Sequence, residues 1–211
     1  MMPSVRTISD LLLQGRTHED ITRELYALDQ RVFPGMPLLH AGVPEVWVDQ
    51  VRYHQPNYRV MVDGGRLVGY WHVAPLTEPS FARLLHGDLA DGEIELDDVQ
   101  LLDQPGEYDL YFLVIAVDDE FRGPPVKLLL DAFGDYLADL ARDGFYFRRL
   151  CANVFTPDGE RLFRRAGMIP GSMQDGGGQI FSFEMPAMID WFKRLSPELG
   201  ERYERHFQAR T

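Results

Sequence analysis

Apolar positions in the first third of the chain recur at helical spacing. Ile21, Leu25, Leu28 and Val32 follow Thr17, which with Asp20 three residues on makes a capping-box pattern, and Pro34 stops the run. A second helix is predicted from Pro44, a residue suited to a first helical turn, through Trp47 and Val51 until Pro56. The period then becomes that of strands. Residues 58–62 and 66–73 are β-rich and meet across Asp63-Gly64-Gly65, which predicts a hairpin. Residues 108–117 are mostly apolar, as expected of a central strand covered on both faces. Over 124–142, Leu129, Leu130, Phe133, Leu137, Leu140 and Ala141 form a wide helical stripe that ends before Gly144. A strand over 145–154 and a short helix over 157–166, stopped by Gly167, come next. A weak strand, the Gly176-Gly177-Gly178 turn, a strand over 180–185 and a C-terminal helix carrying Ile189, Trp191, Phe192 and Leu195 complete the pattern.

This order predicts one α/β domain with a mixed sheet, an α+β arrangement, over residues 1–211. Residues 75–106 are polar and acidic with one helical candidate at 80–86, too long for a plain connection, and read as an insertion before the central strand. Residues 187–211 read as a C-terminal helical extension. With 211 residues, 45% hydrophobic and 26% charged, the chain can build a core without metal or disulfide. Its single cysteine, Cys151, excludes an internal bridge, and no zinc spacing occurs, which fits a reducing compartment. The longest apolar run, 110–117, is eight residues against the ~20 of a membrane-spanning helix, and the first residues lack a signal-peptide core. A cytoplasmic location with no membrane partner is expected.

The net charge is −12, and residues 78–120 carry 13 acids and one base, Arg83. That balance argues against nucleic acid as a partner, because phosphate backbones are bound by clustered Lys and Arg. Two readings of the acidic run stay open: a solvated face, or a region that draws a cationic ligand.

Two motifs bear on function. The first is Val117-Asp118-Asp119-Glu120-Phe121-Arg122-Gly123, and the second is Asn153 followed by Gly159-Glu160-Arg161-Leu162-Phe163-Arg164-Arg165-Ala166-Gly167-Met168. With the order of elements over about residues 21–185, they resemble the GNAT superfamily of acyl-CoA-dependent N-acetyltransferases. The resemblance implies a central mixed sheet flanked by helices and transfer of an acetyl group from acetyl-CoA, or another acyl group from its acyl-CoA, to an amine of a small molecule or peptide. The amine would attack the thioester directly, with a backbone amide near Val117 polarising the carbonyl. It further implies that Ile115, Ala116, Val117, Arg122, Gly123, Val126, Lys127, Asn153 and Phe163 bind the cofactor. In the family, the helix after the central strand offers its unpaired amides to a diphosphate. Here Pro124 and Pro125 have no amide hydrogen, so only the Gly123, Val126 and Lys127 amides remain nearby.

The resemblance places the general base at Tyr111 or Asp109, which alternation puts on one strand face, and a carboxylate is the better acceptor. Phe163 stands where the family usually has a proton-donating tyrosine, although water can protonate a thiolate whose conjugate acid has a pKa of about 8.5. The amine side would use Phe33, Tyr70 and Trp71, with Met36, Leu39, His40 and His72 in the same region. Two alternatives accompany this reading: a GNAT-like binding or assembly module without catalysis, and a transferase using a longer acyl-CoA or a carrier-protein thioester. Trp191, Phe192, Tyr203 and Phe207 either pair with a second copy, giving a homodimer, or cover the chain's own sheet.

Overall fold

Local sequence signals set most element ends. A computed structural model describes residues 2–208. Thr17 caps α2 (His18–Val32) through the reciprocal bonds with Asp20 that its spacing predicts, and α1 (Ile8–Leu13) begins the same way, with Thr7 and Asp10. Two further helices, α3 (Leu38–Ala41) and α4 (Pro44–Tyr53), precede β2 (Tyr58–Asp63) and β3 (Arg66–Leu76), which are antiparallel and joined by the glycine turn. Gly64 and Gly65 both have positive φ there, +54° and +85°, which side chains with a Cβ rarely adopt.

The sheet has seven strands: β1 (Ser4–Arg6), β2, β3, β4 (Gly106–Val117), β5 (Phe145–Val154), β6 (Ile169–Met173) and β7 (Gln179–Ser182). Their order is β1-β2-β3-β4-β5-β7-β6. β4 and β5 are parallel and connected through α6 (Val126–Arg142), as a crossover requires. The remaining helices are α5 (Glu78–His86), α7 (Pro157–Ala166), α8 (Met185–Leu195) and α9 (Pro197–Gln208). The sheet is mixed and helices flank it, the α/β architecture that the pattern predicts. None of the described helices is long and apolar enough to cross a membrane.

Where one domain is expected, the chain divides into two compact units interleaved in sequence. The first comprises Met1–Val73, Ala90–Leu96 and Leu113–Ala132, and the second comprises Ala74–Leu89, Asp97–Phe112 and Phe133–Thr211. Three of the five divisions fall inside β3, β4 and α6, and the other two lie in the acidic segment.

In the first unit, Ile21, Leu25 and Leu28 of α2 and Val51 of α4 are buried with Tyr58, Val60 and Tyr70 of the hairpin. Residues 90–96, drawn from the acidic segment, strap onto α3 and α4. The Gln50 amide donates to the Ile94 carbonyl at 3.4 Å, and buried His40 lies 3.6 Å from Asp91. Gly92 permits the approach, since a Cβ on it would lie 2.7 Å from the Leu39 carbonyl oxygen.

In the second unit, the rest of the acidic segment is folded as well. Leu76 bridges Val99, the Ser80 hydroxyl donates to Asp98 at 2.5 Å, and Phe81, Leu84 and Leu89 are buried. Its acids Asp88 and Asp97 are exposed. The expected single C-terminal helix is two, because Pro197 excludes helical geometry from Ser196, which is extended at φ −154° and ψ 121°. Trp191 and Phe192 of α8 and Tyr203 of α9 are buried in an aromatic cluster with Phe133 and Phe183. Among the described residues, β7 pairs with β5 over residues 151–154 and with β6 on its other side. Earlier on β5, the Phe147 amide donates to the Tyr203 hydroxyl at 3.0 Å. The extension thus covers an edge of its own sheet.

Candidate functional site

The first unit contains the end of β4, the turn and the start of α6. The ladder between β4 and β5 runs from Gly106↔Phe145 to Phe112↔Ala152 and stops there, five residues before β4 ends. Leu113, Val114 and Ile115 are half-buried, and Ala116 and Val117 are buried. Gly69 on β3 lets the chain lie close here, since a Cβ on it would sit 3.2 Å from the Ala116 carbonyl. The Asp118 amide donates to the Val68 carbonyl at 2.9 Å, and its carboxylate pairs with Arg31 at 3.3 Å and Arg66 at 3.7 Å. The strand exit is therefore pinned to both α2 and β3.

Beyond it, the expected phosphate donors are engaged elsewhere. The Val126, Lys127 and Leu128 amides donate to the Gly123, Pro124 and Pro125 carbonyls at 3.0, 3.1 and 3.0 Å. These tight turns satisfy amides that a helix usually leaves open at its start. Arg122 pairs with Asp119 at 2.7 Å, and the Lys127 ammonium with Asp131 at 2.6 Å. Gly123, at φ +97°, has an amide for which no main-chain acceptor occurs among the described residues. The cradle expected from Val126 and Lys127 is thus self-bonded, a correction to the sequence reading. A diphosphate fits this turn poorly.

Beneath the hairpin lies a polar cluster that the sequence reading largely missed. Tyr70, expected to touch substrate, is fully buried and donates to the Asp29 carboxylate at 2.7 Å. Burial raises the Asp29 carboxyl to about 7, against the lowering effect of that bond. Tyr58 is buried beside it and stacks on His72, with ring centroids 3.9 Å apart. Burial, then His54, lowers His72 to about 3, and burial lowers His54 too. Asp29 Oδ1, the Tyr58 hydroxyl, Thr22 Oγ1 and His54 Nε2 have no hydrogen-bond partner among the described residues. Trp71 is likewise fully buried, its indole donating to the Leu129 carbonyl at 2.9 Å, so it packs β3 on α6 and lines no surface. Phe33, half-buried at the end of α2, packs against the core of this unit.

The second unit holds the other expected residues. Asp109 is buried, and each of its oxygens accepts from both Arg148 and Arg149. Burial alone would raise its carboxyl, but the bonds from Arg149 and Arg148 outweigh that and hold it below the usual range. With its acceptor sites filled, Asp109 is not placed to take a substrate proton, which corrects the first choice of base. Tyr111 is fully buried as well. Phe163 stacks edge-on against Phe112 at 5.7 Å, as core. The Asn153 side-chain amide donates to Gln174 at 2.5 Å, and the Gln174 amide donates to the Leu89 carbonyl at 2.7 Å. Asn153 Oδ1 is buried without a partner among the described residues. Two signals pointed to the missed residues. Asp29 falls on the apolar stripe of α2, eight residues after Ile21 and four after Leu25, and Arg148-Arg149 interrupts a strand that is otherwise largely apolar.

Solved structures share this arrangement of elements. The loading GNATL domain of CurA from Lyngbya majuscula superposes with a TM-score of 0.58 at 11% identity, covering 87% of this chain and 98% of that one. The chain has the GNAT fold. A GphF GNAT-like decarboxylase in complex with isobutyryl-CoA matches at 0.53 and 16% identity, over 86% and 98% of the two chains. A Drosophila melanogaster polyamine N acetyltransferase, which catalyses the formation of N acetylagmatine, matches at 0.51 and 16%, over 87% and 100%. No protein family matches by sequence, and no curated protein is significantly similar. The GNAT assignment therefore rests on the shared arrangement of elements, and at these identities it describes architecture.

Proposed function

We propose that this GNAT-fold protein transfers an acyl group from a pantetheine thioester, acetyl-CoA or another acyl-CoA, to an amine of a small molecule or peptide. The observation that carries the reading is that, among the described residues, the ladder of β4 with β5 runs to Phe112 and is not continued over residues 113–117 of this central strand. Such main chain can bond the amides of a pantetheine arm, and an N–H near Val117 can polarise a thioester carbonyl. The GNAT neighbours described as bound to isobutyryl-CoA and as acetylating a polyamine support donor and acceptor classes of this kind.

The amine nitrogen attacks the thioester carbon, the carbonyl oxygen takes the electron pair, and collapse expels the thiolate while the ammonium proton leaves to water. Asp109 is not positioned to accept that proton directly, since it is fully engaged by arginines. The chain's contribution is then positioning and carbonyl polarisation. Because the α6 amides bond within their own turn, the thioester and pantetheine carry most of the donor's affinity. Thiol release from acetyl-CoA, isobutyryl-CoA and acetyl-pantetheine, measured over a panel of amines, tests this. Transfer is expected, with kcat/KM for acetyl-pantetheine within about tenfold of that for acetyl-CoA, because a lost diphosphate forfeits few charge-assisted bonds. A thousandfold preference for acetyl-CoA would overturn the reading that the pantetheine arm carries most of the affinity.

The self-bonded turn and the engaged Asp109 favour one second reading, a GNAT-fold binding module without turnover. Absence of thiol release with every amine, together with no thermal stabilisation by millimolar CoA or acetyl-pantetheine, supports that module instead.

A further inference from the structure

In a regular strand, neighbouring side chains point to opposite faces, so two consecutive arginines cannot both reach one carboxylate. In the second unit they do. Tyr108 pairs with Phe147 but Asp109 pairs with Arg149, so Arg148 is an extra residue on β5, a bulge that turns both guanidiniums the same way. Arg148 Nε and Nη2 donate to Asp109 at 3.1 and 2.9 Å, and Arg149 Nε and Nη2 at 2.7 and 2.6 Å. Asp109 is almost wholly shielded, whereas the Arg148 and Arg149 side chains are 38% and 37% exposed. The Arg149 guanidinium also lies 4.7 Å over the Phe81 ring, which fixes its plane.

A guanidinium has five N–H donors. Each arginine commits two inward, which leaves three on each, and no hydrogen bond among the described residues takes them. Other charges nearby are Glu78, 72% exposed and 3.7 and 4.0 Å from the two guanidiniums, beyond hydrogen-bond reach, and Glu107, which pairs with His206 at 3.0 Å. Two planar cations, clamped from behind and open in front, make the geometry that receives a carboxylate or phosphoryl group in bidentate fashion.

We propose that the Arg148–Arg149 fork is a binding site for an oxyanion, the carboxylate or phosphoryl group of a small molecule, with Asp109 as the strut that holds it and Glu78 as the group an incoming anion displaces. It is independent of the acyl-transfer reading.

Titration calorimetry with succinate and with inorganic phosphate, at ionic strength matched with sodium chloride, tests it on the full chain. Saturable one-site binding of at least one probe is expected, and the probe that binds more tightly tells whether carboxylate or phosphoryl is the natural group. Arg149→Gln should weaken binding at least about tenfold, the worth of one charge-assisted contact. Arg149→Lys, which keeps the charge and loses the fork, should weaken it nearly as much, and Glu78→Gln should tighten it. Equal responses in the wild type, Arg149→Gln and Arg149→Lys would overturn the site, as would absence of saturable binding in the wild type. Should Arg149→Gln misfold, Glu78→Gln, changed at an exposed position, still decides: unchanged affinity overturns the proposal.

Discussion

At the scale of single residues, Asp29 is a buried carboxyl in the first unit whose charged form burial disfavours. A carboxylate enclosed with one hydrogen bond from Tyr70 holds its proton to about pH 7, whereas an unfolded chain releases it near 4. Stability from this group is therefore full below pH 4 and is lost as pH rises through 7. His72 acts in the opposite direction. Held neutral down to about 3, it stabilises fully above 6.5, and that contribution is lost as the pH falls. Comparing Asp29→Asn with the wild type isolates the first effect. The variant should gain stability relative to the wild type between pH 4 and pH 8, by about 4 kcal/mol at most, in urea denaturation at both values. An equal difference at the two pH values would show that folding leaves the Asp29 carboxyl unshifted. Little of this was legible beforehand, because the hairpin residues Tyr58 and Tyr70 that enclose Asp29 are distant from it in sequence.

At the scale of elements, capping boxes, prolines and glycine turns were readable because they act within a few residues. The boundaries of α2, β5 and α7 follow from them directly. The short β1 and α1 were not predicted, although Thr7 and Asp10 repeat the spacing of Thr17 and Asp20 just ahead of Leu11. The start of α6 could be read only halfway. The sequence showed two prolines without amide hydrogens, but whether the following amides stay open depends on a backbone turn that composition does not encode. α9 has a measurable role in this scheme. Removing its hydroxyl with Tyr203→Phe leaves the Phe147 amide buried and unpaired, and should cost about 1–3 kcal/mol in the denaturant midpoint, with faster hydrogen exchange at that amide. An unchanged exchange rate would mean that water serves the amide equally well.

At the scale of the whole molecule, a net charge of −12 places repelling groups on one another, most densely over residues 78–120. Raising sodium chloride from low to physiological levels should therefore raise Tm, by about 2–5 °C in a thermal melt, as screening relieves that repulsion. A falling Tm would show that attractive pairs such as Asp118 with Arg31 dominate instead. The architecture was legible at this scale because element order survives where sequence identity to other GNAT folds has fallen to 11–16%. The chemistry was less so, since Asp109 looked like a base until its two arginines came into view.

The extra residue in β5 has an evolutionary corollary. Arg148 and Arg149 serve one carboxylate only while that strand stays out of step with β4. A single deletion that restored regular alternation would swing one arginine to the opposite face in one stroke, with no intermediate form. In descendants of this chain, the paired arginines and the irregular register should be inherited together or disappear together.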